Sequence, residues 1–559
     1  MNMKKILKSM LLFAAVTTGT VGFVSCSDDN LPQADALFRP VITESGNIEH
    51  FLDGDLVPYM TIKWDNYTSA NQYIVRIESI DGNDVQEIVT DKTDCEFDNL
   101  QYDQEYNVFL TAANTESGLK SKAFTLTTTT LDYPTSLKAI NSTDIIDNAV
   151  RVTWDDVDYD LLRIVNDDDE ELVKEVQVTE ADNENGSIIV NGLDPKTTYR
   201  VLAYANDKYL GKKRFTTVAS EDFGSDVVID LRNLTPDESK KFITSAVIAE
   251  DIEQNPGQNI TYVLQGGIEY TISDVKFPTC ANRIKFVTGL TLAGNAKFVS
   301  SAAMTAVTGS EIAAIEFEKI DFYAGKGAED VKACTDNKFG SKQVFNLADG
   351  IAATIGRISF KSCSMNYYRA LVRAQDGSSN KKEFGEVVFD DCVMNGVGDQ
   401  GIVTTSNKAG DSFGTVTFNN CTITNINVIA DFRQNAAQNP VINFTNCTLS
   451  YAPLETGQML NLGSTAITIN VQKTLIGPAM KAKVSWQAGA TGKMINASKA
   501  TVNVESSYMT TYEWVAENIF EGIKDAKQTE AELWKAPATG DFSIIGKLEE
   551  TGIGDLRWQ

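Results

Sequence analysis

The chain has 559 residues, 42% of them hydrophobic, a formal net charge of −27 and a single histidine. That apolar content is enough for true cores, and the length points to three or more domains. So acidic a surface repels phosphate backbones, which excludes nucleic acid as a partner and reads most simply as a solubility device.

At the start, Lys4, Lys5 and Lys8 precede an apolar run from Met10 to Val24 that ends in small residues and Cys26. The run is too short and too early to span a membrane in a mature protein, so residues 1–25 read as an export signal. Phe23-Val24-Ser25-Cys26 resembles a bacterial lipobox, with Phe23 where leucine is usual. The resemblance implies cleavage before Cys26, lipidation of that cysteine with palmitate among its chains, and anchoring to the outer membrane facing outward. Ser27-Asp28-Asp29 resembles the acidic export tag of Bacteroidetes surface lipoproteins, although solvated tether residues would look the same. Residues 26–36 form a short polar tether.

Residues 37–130 and 131–218 share a pair of landmarks. Trp64 ends an early strand in the first segment and Trp154 in the second; Tyr106 and Tyr199 follow about 42 to 45 residues later, each six places after a leucine, Leu100 and Leu193. A core Trp followed by Tyr six places after Leu resembles the fibronectin type III pattern, with Tyr106 and Tyr199 at the tyrosine corner. The two segments are expected to be β-sandwiches, either carbohydrate-binding modules or rigid spacers.

From residue 219 to residue 559 the grammar changes. Thr235-Pro236-Asp237-Glu238 opens an expected helix, with Phe242, Ile243, Val247, Ile248 and Ile252 on its buried face and Asn255-Pro256-Gly257 as its stop. Ile260–Leu264, Gly266-Gly267 and Tyr270 read as first strands. A phrase then occurs four times: Ile358-Ser359-Phe360 leads to Cys363 and Met365, Val387-Val388-Phe389 to Cys392 and Met394, Val416-Thr417-Phe418 to Cys421 and Ile423, and Ile442-Asn443-Phe444 to Cys447 and Leu449. The cysteines are 29, 29 and 26 residues apart, the period of a stacked repeat.

Within each phrase the apolar residues alternate, then slip by one position before the cysteine, so one residue must be absorbed in a bend. Ser362, Asp391, Asn420 and Asn446 stand at that point, and short polar side chains tolerate the left-handed conformation a tight corner needs. Strand, one-residue corner and strand make one coil of a parallel β-helix. Weaker copies at Ile284–Leu292, Ile315–Phe322, Ile467–Val471 and Val502–Tyr508 bring the coils to eight. Tyr512–Trp534 reads as helical and, with Thr551–Gln559, as a second cap. The fold expected is all-β: two fibronectin-III-like sandwiches, then a right-handed parallel β-helix with helical caps.

Stacked at about 4.8 Å, four cysteines form a line and not a tetrahedron, which argues against a metal. In-register side chains point the same way, so buried thiols are expected in preference to disulfides. Cys95, Cys280 and Cys334 stand alone. No metal and no cofactor is expected.

The whole chain resembles surface lipoproteins of Bacteroidetes polysaccharide-utilisation systems that carry a pectin-lyase-like β-helix. The resemblance implies a polysaccharide ligand and, as partners, a TonB-dependent transporter and companion glycan-binding lipoproteins. Enzymes share that β-helix, but the only histidine, His50, lies in the first sandwich. The Asn-Thr-Asp, Gly-Asp-Asp and Gly-His-Gly signatures of polygalacturonases are absent, and only the triplet Arg283-Ile284-Lys285 is matched. No catalytic residue can be named.

Tyr367, Tyr368, Arg369 and Arg373 follow Cys363, while Phe432 and Arg433 follow Cys421. Aromatic rings beside guanidinium groups suit an acidic sugar, through stacking and a forked carboxylate; solvated charges, or pairs with Asp376 and Asp431, would give the same pattern. The function expected is binding or presentation of a glycan, with an acidic polysaccharide the first choice. The alternatives are an extracellular polysaccharide lyase or glycosidase, and a structural or adhesive rod.

Overall fold

The computed structural model describes residues 36–52, 55–168, 171–324, 341–375, 381–405, 410–482 and 485–559. The signal segment, Cys26 and Cys334 lie outside the described residues. The chain divides into two compact units, the first holding one sandwich and the second holding the other sandwich together with a β-solenoid.

In the first unit a three-stranded antiparallel sheet (Ile42–Leu52, Asp55–Trp64, Asp94–Phe97) shares its core with a four-stranded one (Gln72–Ser79, Val85–Thr90, Glu105–Ala113, Phe124–Thr129). Alternation along Gln72–Ser79 sends Tyr73, Val75 and Ile77 inward against Met60, Ile62 and Trp64. The Tyr106 hydroxyl accepts from the backbone N–H of Gln101 at 3.4 Å and donates to Asp84 Oδ2 at 2.7 Å. In the second sandwich the Tyr199 hydroxyl accepts from the N–H of Asp194 at 3.0 Å, and Trp154 is buried. Both expected tyrosine corners are therefore formed.

The solenoid is built on a ten-stranded parallel sheet whose rungs begin at Val227–Asp230 and end at Ala500–Glu505. A branched fourteen-stranded sheet forms its other sides. Register is strict: Phe286, Phe317, Phe360, Phe389, Phe418 and Phe444 are partners on successive strands. From Phe317 to Phe444 their rings stack face to face with centroids 5.2, 5.1, 5.2 and 5.0 Å apart. The corner residues Ser362, Asp391, Asn420 and Asn446 have φ of 50°, 54°, 50° and 51°, the left-handed conformation the parity slip requires. Lys319, Lys473 and Ser506 do the same in the coils without cysteine.

Each repeat cysteine is buried and unbridged. Its Sγ faces the carbonyl of the preceding coil's phenylalanine: Cys392 meets Phe360 at 3.3 Å, Cys421 meets Phe389 at 3.4 Å and Cys447 meets Phe418 at 3.4 Å. Burial pushes these three thiols well above their ordinary range.

Four expectations are corrected. The single cap helix is two pieces, Pro236–Ser239 and Ser245–Gln254, because Thr235 and Thr244 each cap a helix and Ile243 between them turns into the core. Val227–Asp230, unread in the sequence, is the first rung. The strand after Phe286 is Ala296–Ser300, not Leu290 and Leu292, which stay in a half-buried loop. At the far end, Tyr512–Trp534 is not one helix: it holds a short turn at Ala516–Asn518, a two-residue strand at Lys524–Asp525 and a single helical turn at Glu530–Leu533, with Gly522 between the first two.

The segment Thr551–Gln559 does not cover the end of the solenoid; it runs back along the corners. Asn446 Nδ2 donates to the Gly552 carbonyl at 2.7 Å, and the buried Asp555 carboxylate accepts from Thr422 Oγ1 at 2.6 Å. Arg557 bridges to Asp391 at 2.7 Å, and Trp558 Nε1 donates to Thr422 Oγ1 at 2.7 Å.

Phe418→Ala should cost about 3–5 kcal/mol in denaturant unfolding, since a stacked ladder cannot collapse into the cavity. Thr417→Ala, one residue away on the outer face, should cost within about 0.5 kcal/mol; equal costs would contradict the strand phase. The four repeat thiols should react with a thiol reagent only after denaturation, and labelling of the native protein at Cys421 would count against the buried ladder.

Candidate functional site

In every phrase the residue between the two inward apolar side chains must point outward. Register sets these residues in one row across eight rungs of the ten-stranded sheet: Lys285, Glu316, Ser359, Val388, Thr417, Asn443, Asn470 and Asn503. A second outward row two residues on carries Glu318, Lys361, Asp390, Asn419, Thr445, Gln472 and Glu505. Between them lie two depressions, of about 470 Å³ over the earlier rungs and about 510 Å³ over the later ones.

The earlier half is charged and internally paired. Lys285 Nζ lies 2.6 Å from Glu318 Oε2, Lys361 Nζ lies 3.5 Å from Glu318 Oε1, and Arg357 meets Glu386 at 3.3 Å. Burial works to raise the Glu318 carboxyl, but the hydrogen bond from Lys285 and the charges of Lys285, Lys361 and Lys319 outweigh it and hold the group below its usual 4.5. An acid held ionised in this way cannot serve as a general acid near neutral pH.

The later half is neutral except for Glu505, whose carboxylate accepts from Gln472 Nε2 at 3.1 Å. Asn443 Nδ2 donates to Thr417 Oγ1 at 3.2 Å, Asn470 Nδ2 to Asn443 Oδ1 at 2.8 Å, and Asn503 Nδ2 to Asn470 Oδ1 at 2.9 Å. Each amide keeps one N–H and one oxygen lone pair beyond this ladder, so the row offers a donor and an acceptor at every step. Among the described residues no three His, Cys, Asp or Glu side chains gather as a metal-ligand set.

The residues expected from sequence to form a sugar-binding face lie elsewhere, and two of them face inward. Tyr368 is fully buried with its hydroxyl 2.9 Å from Ser300 Oγ, and burial raises its pKa. Phe432 is 1% exposed and stacks on Phe413 at 5.0 Å. Neither ring can meet a ligand. Tyr367 occupies a second left-handed corner, φ 62°, and its ring packs over Gly396, where a Cβ would come within 2.5 Å.

Arg369 forks Asp399 at 2.7 and 3.2 Å, and Arg433 forks Asp431 at 2.9 Å on both nitrogens. Arg373 donates to the amide oxygen of Gln400 at 3.1 and 3.2 Å in the amide orientation that satisfies both of its ends. Arg373 and Arg433 do not share a rung: Arg373 is in line with Thr404 and Asp431, two residues short of Arg433. The guanidinium groups expected to fork a ligand carboxylate are thus engaged within the protein. The trough was missed because outward residues of the repeats differ in type from coil to coil; what could have found it is their fixed place in the phrase.

No protein-family model matches the chain, and no curated protein matches it. Among solved structures it is similar to a two-domain fibronectin type III segment of chicken tenascin, at 18% identity, over 32% of this chain and 97% of that one, with a TM-score of 0.17. It is also similar to the FN1–FN3 domains of chicken CNTN1, at 17% identity over 33% and 69% of the two chains, TM-score 0.15. The central fibronectin-III array of RIM-binding protein matches at 13% identity over 33% and 70%, TM-score 0.12.

Because the Glu318 carboxyl is held low, its stabilising contribution is fully present above the usual glutamate value of 4.5 and is lost as pH falls through the folded-state value. Glu318→Gln should therefore be less stable than the parent at pH 7, with the gap in unfolding free energy closing as pH falls below 4.5 and through the folded-state value. A gap that stays constant over that range would show that the charge on Glu318 is not what the lysines stabilise.

Proposed function

We propose that this chain is a lipid-anchored cell-surface protein that holds a polysaccharide along the outer face of its ten-stranded sheet. The observation that carries the reading is the trough: eight outward rungs in register from Lys285 to Asn503, spanning about 34 Å at about 4.8 Å per rung and ending in a row of amides. Rung spacing is close to that of consecutive sugars in an extended chain, so over the rungs of Asn443, Asn470 and Asn503 one polysaccharide meets similar groups repeatedly. Amides that donate and accept at each step match sugar hydroxyls.

Since Lys285, Lys361 and Arg357 are each held by a carboxylate, the lining favours a neutral chain over an acidic one. The lipobox-like Phe23–Cys26 and the acidic residues after it support an outer-membrane anchor of the Bacteroidetes type. In that setting the sandwiches are spacers, and a TonB-dependent transporter with companion glycan-binding lipoproteins receives the polysaccharide.

The test is retention of neutral and acidic polysaccharides by the immobilised mature chain, with product release followed in the same samples. At least one neutral polysaccharide should be retained, and the double change Asn470→Ala with Asn503→Ala should weaken it roughly tenfold, the loss of two hydrogen-bonding groups at about 1 kcal/mol each being sufficient. Undiminished retention by that variant would remove the trough from the function; new reducing or unsaturated ends would make the protein a glycosidase or lyase instead. Separately, Cys26→Ala should abolish palmitate labelling and release the protein from the outer membrane, and normal labelling would overturn the anchor.

A further inference from the structure

A separate cavity of about 190 Å³ lies in the seam between the second sandwich and the solenoid, inside one compact unit. The sandwich contributes Asn148, Ile189 and Asn191; the solenoid contributes Asn233, Gln265 and Leu292. We infer that this seam is a binding site for one small, neutral, hydroxyl-rich molecule the size of a single sugar ring. The inference is independent of the trough, which lies on other residues.

Four side-chain amides converge on the space. Gln265 Oε1 is buried and has no donor, a condition native structures rarely leave uncorrected. Asn148 Nδ2 and Asn233 Oδ1 reach towards each other from opposite walls and are 3.5 Å apart, at the limit of a hydrogen bond. Ile189 and Leu292 supply apolar surface for the carbon face of a ring. At about 190 Å³ the cavity has room for one sugar ring.

The charge balance selects for neutrality. Arg232 borders the cavity, but it is forked by Asp147 at 2.9 and 3.2 Å and also held by Asp230 at 2.8 Å, two carboxylates for one guanidinium. An anionic ligand would meet a surplus of negative charge. The Arg232–Asp147 pair crosses the seam with only 12% and 2% of its side chains exposed, and Arg151 of the sandwich donates to the Leu292 carbonyl beside it. At Gly266, in the lining, an added Cβ would come 2.5 Å from the Gly294 carbonyl oxygen, so backbone closes that side. The walls are therefore set before a ligand arrives, which reduces the ordering cost of binding.

Saturation-transfer NMR on the full mature chain, with D-glucose, D-galactose, D-mannose, N-acetyl-D-glucosamine and D-galacturonate as probes, tests this. At least one neutral sugar should bind with a Kd of about 1–10 mM, and galacturonate should bind more weakly than galactose. Gln265→Leu, with thermal unfolding unchanged, should weaken the bound sugar at least about fivefold; should that variant unfold early, Asn191→Ala at the exposed rim decides by the same loss. Asn470→Ala in the trough should leave monosaccharide binding as in the parent. Absence of binding by every neutral sugar, equal or tighter binding of galacturonate, or indifference to the seam variants would overturn the inference, and none of these outcomes bears on polysaccharide retention by the trough.

Discussion

Seven coils of the solenoid turn on one residue held in the left-handed conformation, and nearly everything else about the domain depends on it. For a residue with a Cβ that conformation costs about 1–2 kcal/mol, and the chain meets the cost again at Lys319, Ser362, Asp391, Asn420, Asn446, Lys473 and Ser506. Lateral bonds between corners offset part of it: Ser362 Oγ donates to Asp391 Oδ2 at 2.8 Å, and Asn420 Nδ2 donates to Asp391 Oδ1 at 3.0 Å. In return, the parity of the strand is reset at the same point in each of these coils. The phenylalanines then fall over one another, the thiols fall over the preceding carbonyls, and the residue between the inward pair faces water in every rung.

That dependence explains what could be read beforehand. A fixed period and a one-place slip are visible in residues such as Phe418, Asn420 and Cys421, so the coil, its corner and its buried thiols were legible. The second corner was not. Tyr367 and Tyr368 look alike in sequence, yet Tyr367 takes the left-handed turn and thereby sends Tyr368 inward. Phe432 was misjudged for a related reason: its coil is shorter, 26 residues from Cys421 to Cys447 against 29 in the two before it, so a count from the cysteine misses its place in the Phe384–Phe413–Phe432 stack. Val227–Asp230 pairs only with a strand some thirty residues later and has no repeat phrase to mark it.

The charge of −27 is deceptive as a guide to the candidate faces. Basic side chains of the solenoid are distributed so that each named cation in the trough and on the arginine-bearing side faces a carboxylate or an amide, from a neighbouring rung in every case but Arg433, whose Asp431 lies two residues before it. Exposed pairs of this kind add little stability one at a time, but together they cancel local fields. A polymer approaching such a face is sorted by hydrogen-bond geometry more than by its sign of charge.

A solenoid is ordinarily a one-dimensional object, each coil held only by the coils beside it. The segment from Gly552 to Trp558 breaks that rule by touching Asp391, Asn420, Thr422, Asn446, Thr448 and Lys473, residues of four successive coils that lie far from it in sequence. It works as a batten nailed across planks. Opening any one of those coils means lifting the batten from the others, so the middle of the stack must breathe as a block. Long-range closure of that kind also raises the entropic threshold for assembling the block.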